Sequence, residues 1–348
     1  MDYLLMSDIH LNNWSKFSSF DSEGVSERLK ITESEIRRAL DRHASIGGQK
    51  RLVIAGDTFH TRGRVETIVM NTAIKLFSDI SKQWDVDILT GNHDLQSSES
   101  RELTSAVSAL KALSVNVHSS VNENNGIVFC PWVEKVSDLQ ATLEDLAKAT
   151  KQKSKKDLII HAPVDDVIAG LPNNGITADF LLTLGFKRVF SGHYHNHKEL
   201  IKDKVYSIGA LTHQTFSDVG SKAGFLSVFD DGVIYHASNA PNFIEIDNEN
   251  FDDAELLVDG NYVRCKVNVK KESEVSKLRD KFVKWGALGV QINYVNESQS
   301  ERKESIAANS LSIEKSIVEF IRINGYSDEV KEDALDIFAE SLSIGDEE

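Results

Sequence analysis

Five short phrases hold most of the residues that could do chemistry: Asp8-Ile9-His10, Gly56-Asp57-Thr58-Phe59-His60, Gly91-Asn92-His93-Asp94, the single His161, and Gly192-His193-Tyr194-His195. Each follows a short apolar run, so each is read as the carboxyl end of a buried strand, where a turn thrusts polar groups outward. In an extended Asp-x-His or His-x-His the two side chains lie on one face, because residues two apart do. Each such pair can grip one ion or flank two. Carboxylate, imidazole and amide oxygen together suit manganese, iron or zinc better than calcium or magnesium, which favour all-oxygen shells. Singly, each phrase has an ordinary explanation: Asp8 as a cap, His161 as a satisfied core histidine, Asn92 to Asp94 as a self-bonded turn. Jointly, those explanations must coincide at five strand ends in order, and a shared dinuclear metal site is the simpler reading. His43, His118, His197, His213 and His236 lack such a context and are read as structural.

The elements that must position these groups repeat one pattern as far as about residue 243. Apolar runs at 3–6, 51–55, 86–89, 126–130, 158–160, 188–190, 205–208, 225–229 and 233–237 are read as strands. Helices are expected over about 24–45, 65–81, 100–113 and 135–150 from apolar spacing of three and four. Early strands alternate with helices and the last are joined by turns, which points to an α/β start with an antiparallel finish. Between the first two phrases, Trp14, Phe17 and Phe20 sit in a polar stretch, read as a loop near the site mouth that touches substrate or packs on itself.

Composition narrows the function classes. The 348-residue chain is 41% hydrophobic, enough for one large core or two to three domains. A formal net charge of −15 argues against holding nucleic acid by a broad basic surface. Two well-separated cysteines, Cys130 and Cys265, fit a reducing, cytoplasmic compartment. No apolar stretch approaches the length of a membrane span, and no basic leader precedes the first strand.

In their order and spacing, D-x-H, G-D-x-F-H, G-N-H-D, a lone His and G-H-x-H resemble the motifs of the calcineurin-like metallophosphoesterases. His60, Arg62 and the Gly-Ala-Leu-Thr run after Ile208 look most like the SbcD-type DNA nuclease branch, in particular its shorter bacteriophage recombination endonuclease subunits. The resemblance covers about residues 1–243. It implies a four-layer α-β-β-α sandwich with two divalent ions at one edge, manganese first and magnesium as the second choice. Carried onto matching positions, Asp8, His10, Asp57 and His195 would hold one ion, and Asp57, Asn92, His161 and His193 the other, with Asp57 bridging. The implied activity is exonuclease or endonuclease processing of DNA ends in recombination, repair and replication. His93 would stabilise the reacting phosphorus or protonate the leaving oxygen, Asp94 would orient His93, and His60 would lie near the substrate phosphate or merely start a helix.

Beyond the catalytic domain, residues 244–297 read as a small α/β cap of strand, helix and strand. Its Lys270, Lys271, Lys277, Arg279, Lys281 and Lys284 form either a solvated helix face or a DNA-contacting edge. Residues 298–310 read as a polar linker. Residues 311–348 carry two amphipathic helical stripes, Ile313 to Ile321 and Val330 to Leu342, too small to bury themselves. By resemblance they would dock on the coiled-coil base of an SbcC-type ATPase, within a complex that holds two copies of this chain. The competing readings are a phosphomonoesterase or cyclic-nucleotide phosphodiesterase, which needs the same ions but no tethered tail, and an inactive scaffold, which would lose ligands.

Overall fold

The computed structural model describes residues 2–97, 105–173, 175–266 and 272–292, together with 318 and 330–331. The helical pair expected over 311–348 and the linker at 298–310 therefore lie almost wholly outside the described residues, as do Lys270 and Lys271.

Two six-stranded sheets face each other. The first has the order β12 (Val233–Ala237), β11 (Gly224–Val228), β1 (Tyr3–Met6), β2 (Arg51–Ile54), β3 (Asp85–Leu89), β4 (Asn116–His118). The second runs β5 (Asn122–Asn124), β6 (Ile127–Cys130), β7 (Asp157–His161), β8 (Arg188–Gly192), β10 (Val205–Ser207), β9 (Lys198–Ile201). Strands β1 to β4 are mutually parallel, as are β6 to β8, while β11 and β12 pair antiparallel. Parallel pairing sends β1, β2, β3, β7 and β8 out at one edge, where all five polar phrases emerge.

Alternation along the strands builds the layers. On β1, Tyr3 and Leu5 meet Phe129, Ile159 and Phe190 of the opposite sheet, whereas Leu4 and Met6 turn outward to Leu29 and Ile36 of α1 (Glu27–Ser45) and Phe77 of α2 (Thr67–Ile80). On the far side, Val128, Leu158 and Ile160 pack against Leu139 and Leu143 of α3 (Val136–Ala149) and Leu181 of α4 (Ala178–Thr183). A strand buried on both faces must be apolar throughout, which is why these runs show no polar alternation. The expected four-layer α-β-β-α sandwich is thus the observed architecture. Ser26 caps α1, its hydroxyl accepting from the Leu29 N–H at 3.2 Å.

The chain departs locally from the sequence reading. The expected helix at 100–113 is, where described, a 3₁₀ helix, Ala106–Leu113, whose buried Val107 and Leu110 are three apart, the repeat of that helix. Strands β4, β5 and β9 went unseen because sheet edges, half solvated and only three or four residues long, need no apolar run.

A separate parallel sheet of β13 (Phe243–Ile246), β14 (Tyr262–Cys265) and β15 (Gly289–Ile292) is crossed by α5 (Ala254–Val258) and α6 (Glu272–Lys284). Its core is Ile246, Ala254, Val258, Val263, Cys265 and Phe282. β13 adds a strand to the strand-helix-strand read from the sequence, where the acidic residues after it obscured its short apolar run. Among the described residues no helix is long and apolar enough to cross a membrane.

Candidate metal centre

At the shared edge, residues from five strand ends converge. Asp8, His10 and His195 offer ligand atoms that all lie within 4.8 Å of one another, and so do Asp57, His161 and His193. The first group is tight: His10 Nε2 lies 3.2 Å from His195 Nε2 and 3.9 Å from Asp8 Oδ1. In the second, Asn92 Oδ1 stands 3.0 Å from His161 Nε2 and 3.1 Å from His193 Nδ1. Asp57 joins them, its Oδ2 being 3.7 Å from His10 Nε2 and 3.4 Å from His161 Nε2.

The backbone is bent to achieve this. Asp8, His10, Asp57 and His193 all have positive φ, at 50°, 44°, 51° and 102°. Side chains rarely adopt that region, and such strain persists where surrounding structure over-determines it, commonly at functional sites. The glycines of the motifs make room. A Cβ on Gly56, itself at φ 99°, would stand 2.2 Å from the His161 ring, and one on Gly91 would stand 2.2 Å from Asp57 Oδ1.

Electrostatics agree with a cation-binding pocket. Burial raises the Asp8 carboxyl, and burial drives His10 well below the ordinary histidine range. Burial lowers His193 to about 3, helped by the neighbouring His161. Burial works against the charged form of His161 too, but the Asp57 carboxylate outweighs it and lifts the imidazole to about 9. Burial likewise opposes ionisation of Asp57, yet His161 and His10 pull that carboxyl below its usual value. A metal held here by His161 would have to displace the proton that this environment favours on the ring.

The residues fit two divalent ions. Asp8 Oδ1 is buried with no hydrogen-bond partner, an arrangement that otherwise costs free energy without return. His161 donates Nδ1–H to the Ala55 carbonyl at 2.8 Å, which in its neutral form leaves Nε2 as a lone-pair donor facing Asp57 and Asn92. Metal-ligating imidazoles are commonly held in this way from the opposite nitrogen.

A calcineurin-like phosphoesterase model matches residues 1–197, more than half of the chain. The chain belongs to the calcineurin-like phosphoesterase family. It is accordingly a metal-dependent phosphoesterase, and the His and Asp groups at the sheet edge are those that can hold its ions. A crystal structure of the Pseudomonas putida nuclease MPE aligns at 14% identity over 67% of this chain and 87% of that one, with a TM-score of 0.30. No curated protein matches.

Within this phosphoesterase the third phrase is wired differently from the expectation. Asp94 does not orient His93. Its two oxygens accept from the backbone N–H groups of Phe59 at 3.0 Å and Gly91 at 2.9 Å, stitching the second and third loops together from a fully buried position. His93 is oriented instead by the carbonyl of His60, 2.6 Å from its Nδ1, while its own N–H donates to Asp57 Oδ1 at 2.8 Å. The reason is reach: Asp94 turns inward to satisfy two otherwise buried donors, and His93 turns outward. Asp94→Ala is expected to act as a stability mutation, losing about 1–3 kcal/mol in urea denaturation for two orphaned donors. An unchanged midpoint would show the carboxylate to be dispensable there.

His60 has a share in the site through its main chain. Its ring stacks on that of His93, 5.5 Å apart and 17° from parallel, and burial lowers it to about 4. The five histidines read as structural have partners elsewhere, including Ser227 for His43, Asp87 for His118 and the Ser207 carbonyl for His197.

Two residues escaped the sequence reading. Asp218 Oδ1 lies 2.8 Å from His195 Nδ1, and its Oδ2 accepts from the Gln214 and Thr215 N–H groups. The available signal was the Thr215-x-x-Asp218 capping box. Trp132 follows β6 and lies 5.0 Å from the His193 ring, at a strand end whose residue types hold no ligand. Because a carboxylate behind a ligating imidazole sets its basicity, Asp218→Asn is expected to weaken manganese binding roughly 10- to 100-fold by calorimetry. Wild-type affinity in that variant would leave Asp218 with only the turn to hold.

Proposed function

We propose that this phosphoesterase is a manganese-dependent DNA nuclease subunit of the SbcD type, cutting phosphodiesters at DNA ends as part of recombination, repair or replication. The observation that supports this reading most is the placement of Asp57 Oδ2 between two donor groups, with His93 fixed alongside by Asp57 and His60. When bound, two divalent ions supply an acidified water and neutralise charge growing on the phosphoryl oxygens during in-line attack.

The chain's own residues do the rest. Asp57 holds its carboxylate toward both groups and, through its other oxygen, anchors the His93 backbone. His93 donates Nδ1–H to the His60 carbonyl, so its Nε2 is the atom that holds a proton for, or delivers one to, the leaving oxygen. Trp14 beside His60 and Trp132 beside His193 flank the centre with apolar surface that excludes water from the reacting bond.

Charge and domain arrangement extend the proposal to partners. At −15 the chain has too few clustered cations to hold long duplex alone, so a partner supplies that surface. Residues 1–243 form the nuclease domain, 244–297 a cap beside the DNA, and 311–348 the tethered segment that recruits an SbcC-like ATPase, in a complex with two copies of this chain. Digestion of end-labelled linear duplex with manganese, set beside hydrolysis of an aryl phosphate monoester, tests the chemistry: diester cleavage is expected to dominate, and preference for the monoester would overturn it. Truncation after Val295 is expected to spare attack on short substrates while abolishing ATP-dependent cutting. Phe338→Glu, which puts a charge into a helix-in-groove contact, is expected to lose the ATPase in a pull-down, and equal recovery would place the contact elsewhere.

A further inference from the structure

Residues 12–20 run from the metal centre to the small three-stranded domain and make specific contacts at both ends. At the near end, Leu11 pairs with Phe59, its N–H donating to the Thr58 carbonyl at 2.8 Å, so the segment leaves from the loop that bears His60. Trp14 then lies against His60, ring centroids 4.4 Å apart. The Arg28 guanidinium stands 4.5 Å from the same indole and 5.0 Å and 5.5 Å from the rings of Phe243 and Tyr262, which belong to β13 and β14. Arg28 is buried, and its Nη1 donates to the Lys16 carbonyl.

At the far end, Phe17 is seated between the small domain and Phe216 of the 3₁₀ turn that precedes β11. It stacks on Tyr262 at 5.8 Å and meets Phe216 and Phe243 edge-on or tilted at 5.8 Å and 6.1 Å. The seat is close-fitting, since a Cβ on Gly289 would come within 2.4 Å of the Phe17 ring. Lys16 Nζ adds a 2.8 Å bond to Gln291 Oε1 of β15. Phe17 has φ 57°, a conformation that an aromatic residue adopts only where packing compels it.

Together these contacts form one line of support: small domain to Phe17, Phe17 to Trp14 along the chain and through Arg28, which lies on the Trp14 indole and donates to the Lys16 carbonyl, Trp14 to the His60 ring, and the His60 carbonyl to His93 Nδ1. We propose that Phe17 and Trp14 are positioning residues, and that through this strap the small domain sets where the His93 ring stands over the metal centre. The inference rests on the role proposed for His93. It makes the small domain part of the catalytic apparatus even toward substrates too small to touch it.

The test uses the full chain and bis(p-nitrophenyl) phosphate, a small diester with no nucleic-acid backbone to lay along the small domain. Phe17→Ala is expected to lower kcat about tenfold with KM unchanged, the signature of a misplaced group rather than of lost binding. Phe17→Leu, which refills the seat, is expected to recover most of it, while Val283→Ala, exposed on the same domain, changes nothing. The decisive arm is a cycle: in a His93→Ala background, Phe17→Ala is expected to lower the residual rate less than twofold, because the strap acts through a ring already gone. A full tenfold loss in that background, or no loss in the wild type, overturns the proposal. The ring signals of His60 and His93 in carbon–proton correlation spectra give a readout independent of turnover. They are expected to shift in Phe17→Ala while those of His43 and His236 stay. Should no diester be cleaved at all, the nuclease reading falls and these spectra alone decide the strap, unmoved His60 and His93 signals refuting it.

Discussion

Asp57→Ala is expected to reduce phosphodiester cleavage to below about one-thousandth of wild type at saturating manganese, a larger loss than any other single ligand change. Several kcal/mol of transition-state charge stabilisation depend on the ion pair, and each ~1.4 kcal/mol is tenfold in rate. Asp57 faces both donor groups, at 3.7 Å and 3.4 Å through one oxygen, while its other oxygen accepts the His93 N–H. Removing it therefore empties the shared position and frees the turn that carries His93. It also strips His161 of the carboxylate that holds its proton, which is the one change favourable to metal entry. Titration of each variant with manganese, followed by turnover at saturation, separates these effects. If Asn92→Ala or His10→Ala proved as damaging at saturating metal, Asp57 would have no special standing between the two groups.

His93→Ala is expected to keep both ions and lose on the order of a hundredfold in cleavage, the size of a missing general acid or charge stabiliser. His93 clusters with His10 and His60 and not with the Asp8 or Asp57 donor groups, and its Nδ1 is committed to a backbone carbonyl. His10, 4.9 Å away ring to ring, would remain in place because its own contacts run to Asp8, Asp57 and His195. Calorimetry showing that the variant has lost an ion would move His93 among the ligands and falsify the assignment.

The legibility of this protein in its sequence was uneven. The polar phrases could be read because each combines a residue pair two apart with a preceding apolar run, a local pattern that needs no knowledge of what lies opposite. Asp218 could not be read as a partner of His195, 23 residues away, because nothing local distinguishes a carboxylate that only completes its own capping box from one that also holds an imidazole. Asp94 was misread for the converse reason. It is next to His93 in the chain, but two buried N–H groups from different loops compete for its oxygens and take them. Trp14 and Phe17 stood out as aromatics in polar company, yet their destinations on His60 and on the small domain are long-range facts.

By itself the sequence determined the strand-and-turn rhythm of the catalytic domain, its fully apolar central strands and the donor types presented at five strand ends. Those follow from hydrophobic period and residue chemistry, which act over a few residues. Tertiary structure alone decided that Asp57 faces both donor groups, that His93 hangs from the His60 carbonyl, that Asp94 is a stitch between loops, and that the small domain reaches the site through Phe17. Each of these depends on which buried donor finds which acceptor after two sheets have closed on one another, and that choice is made by distance in space among groups far apart in the chain.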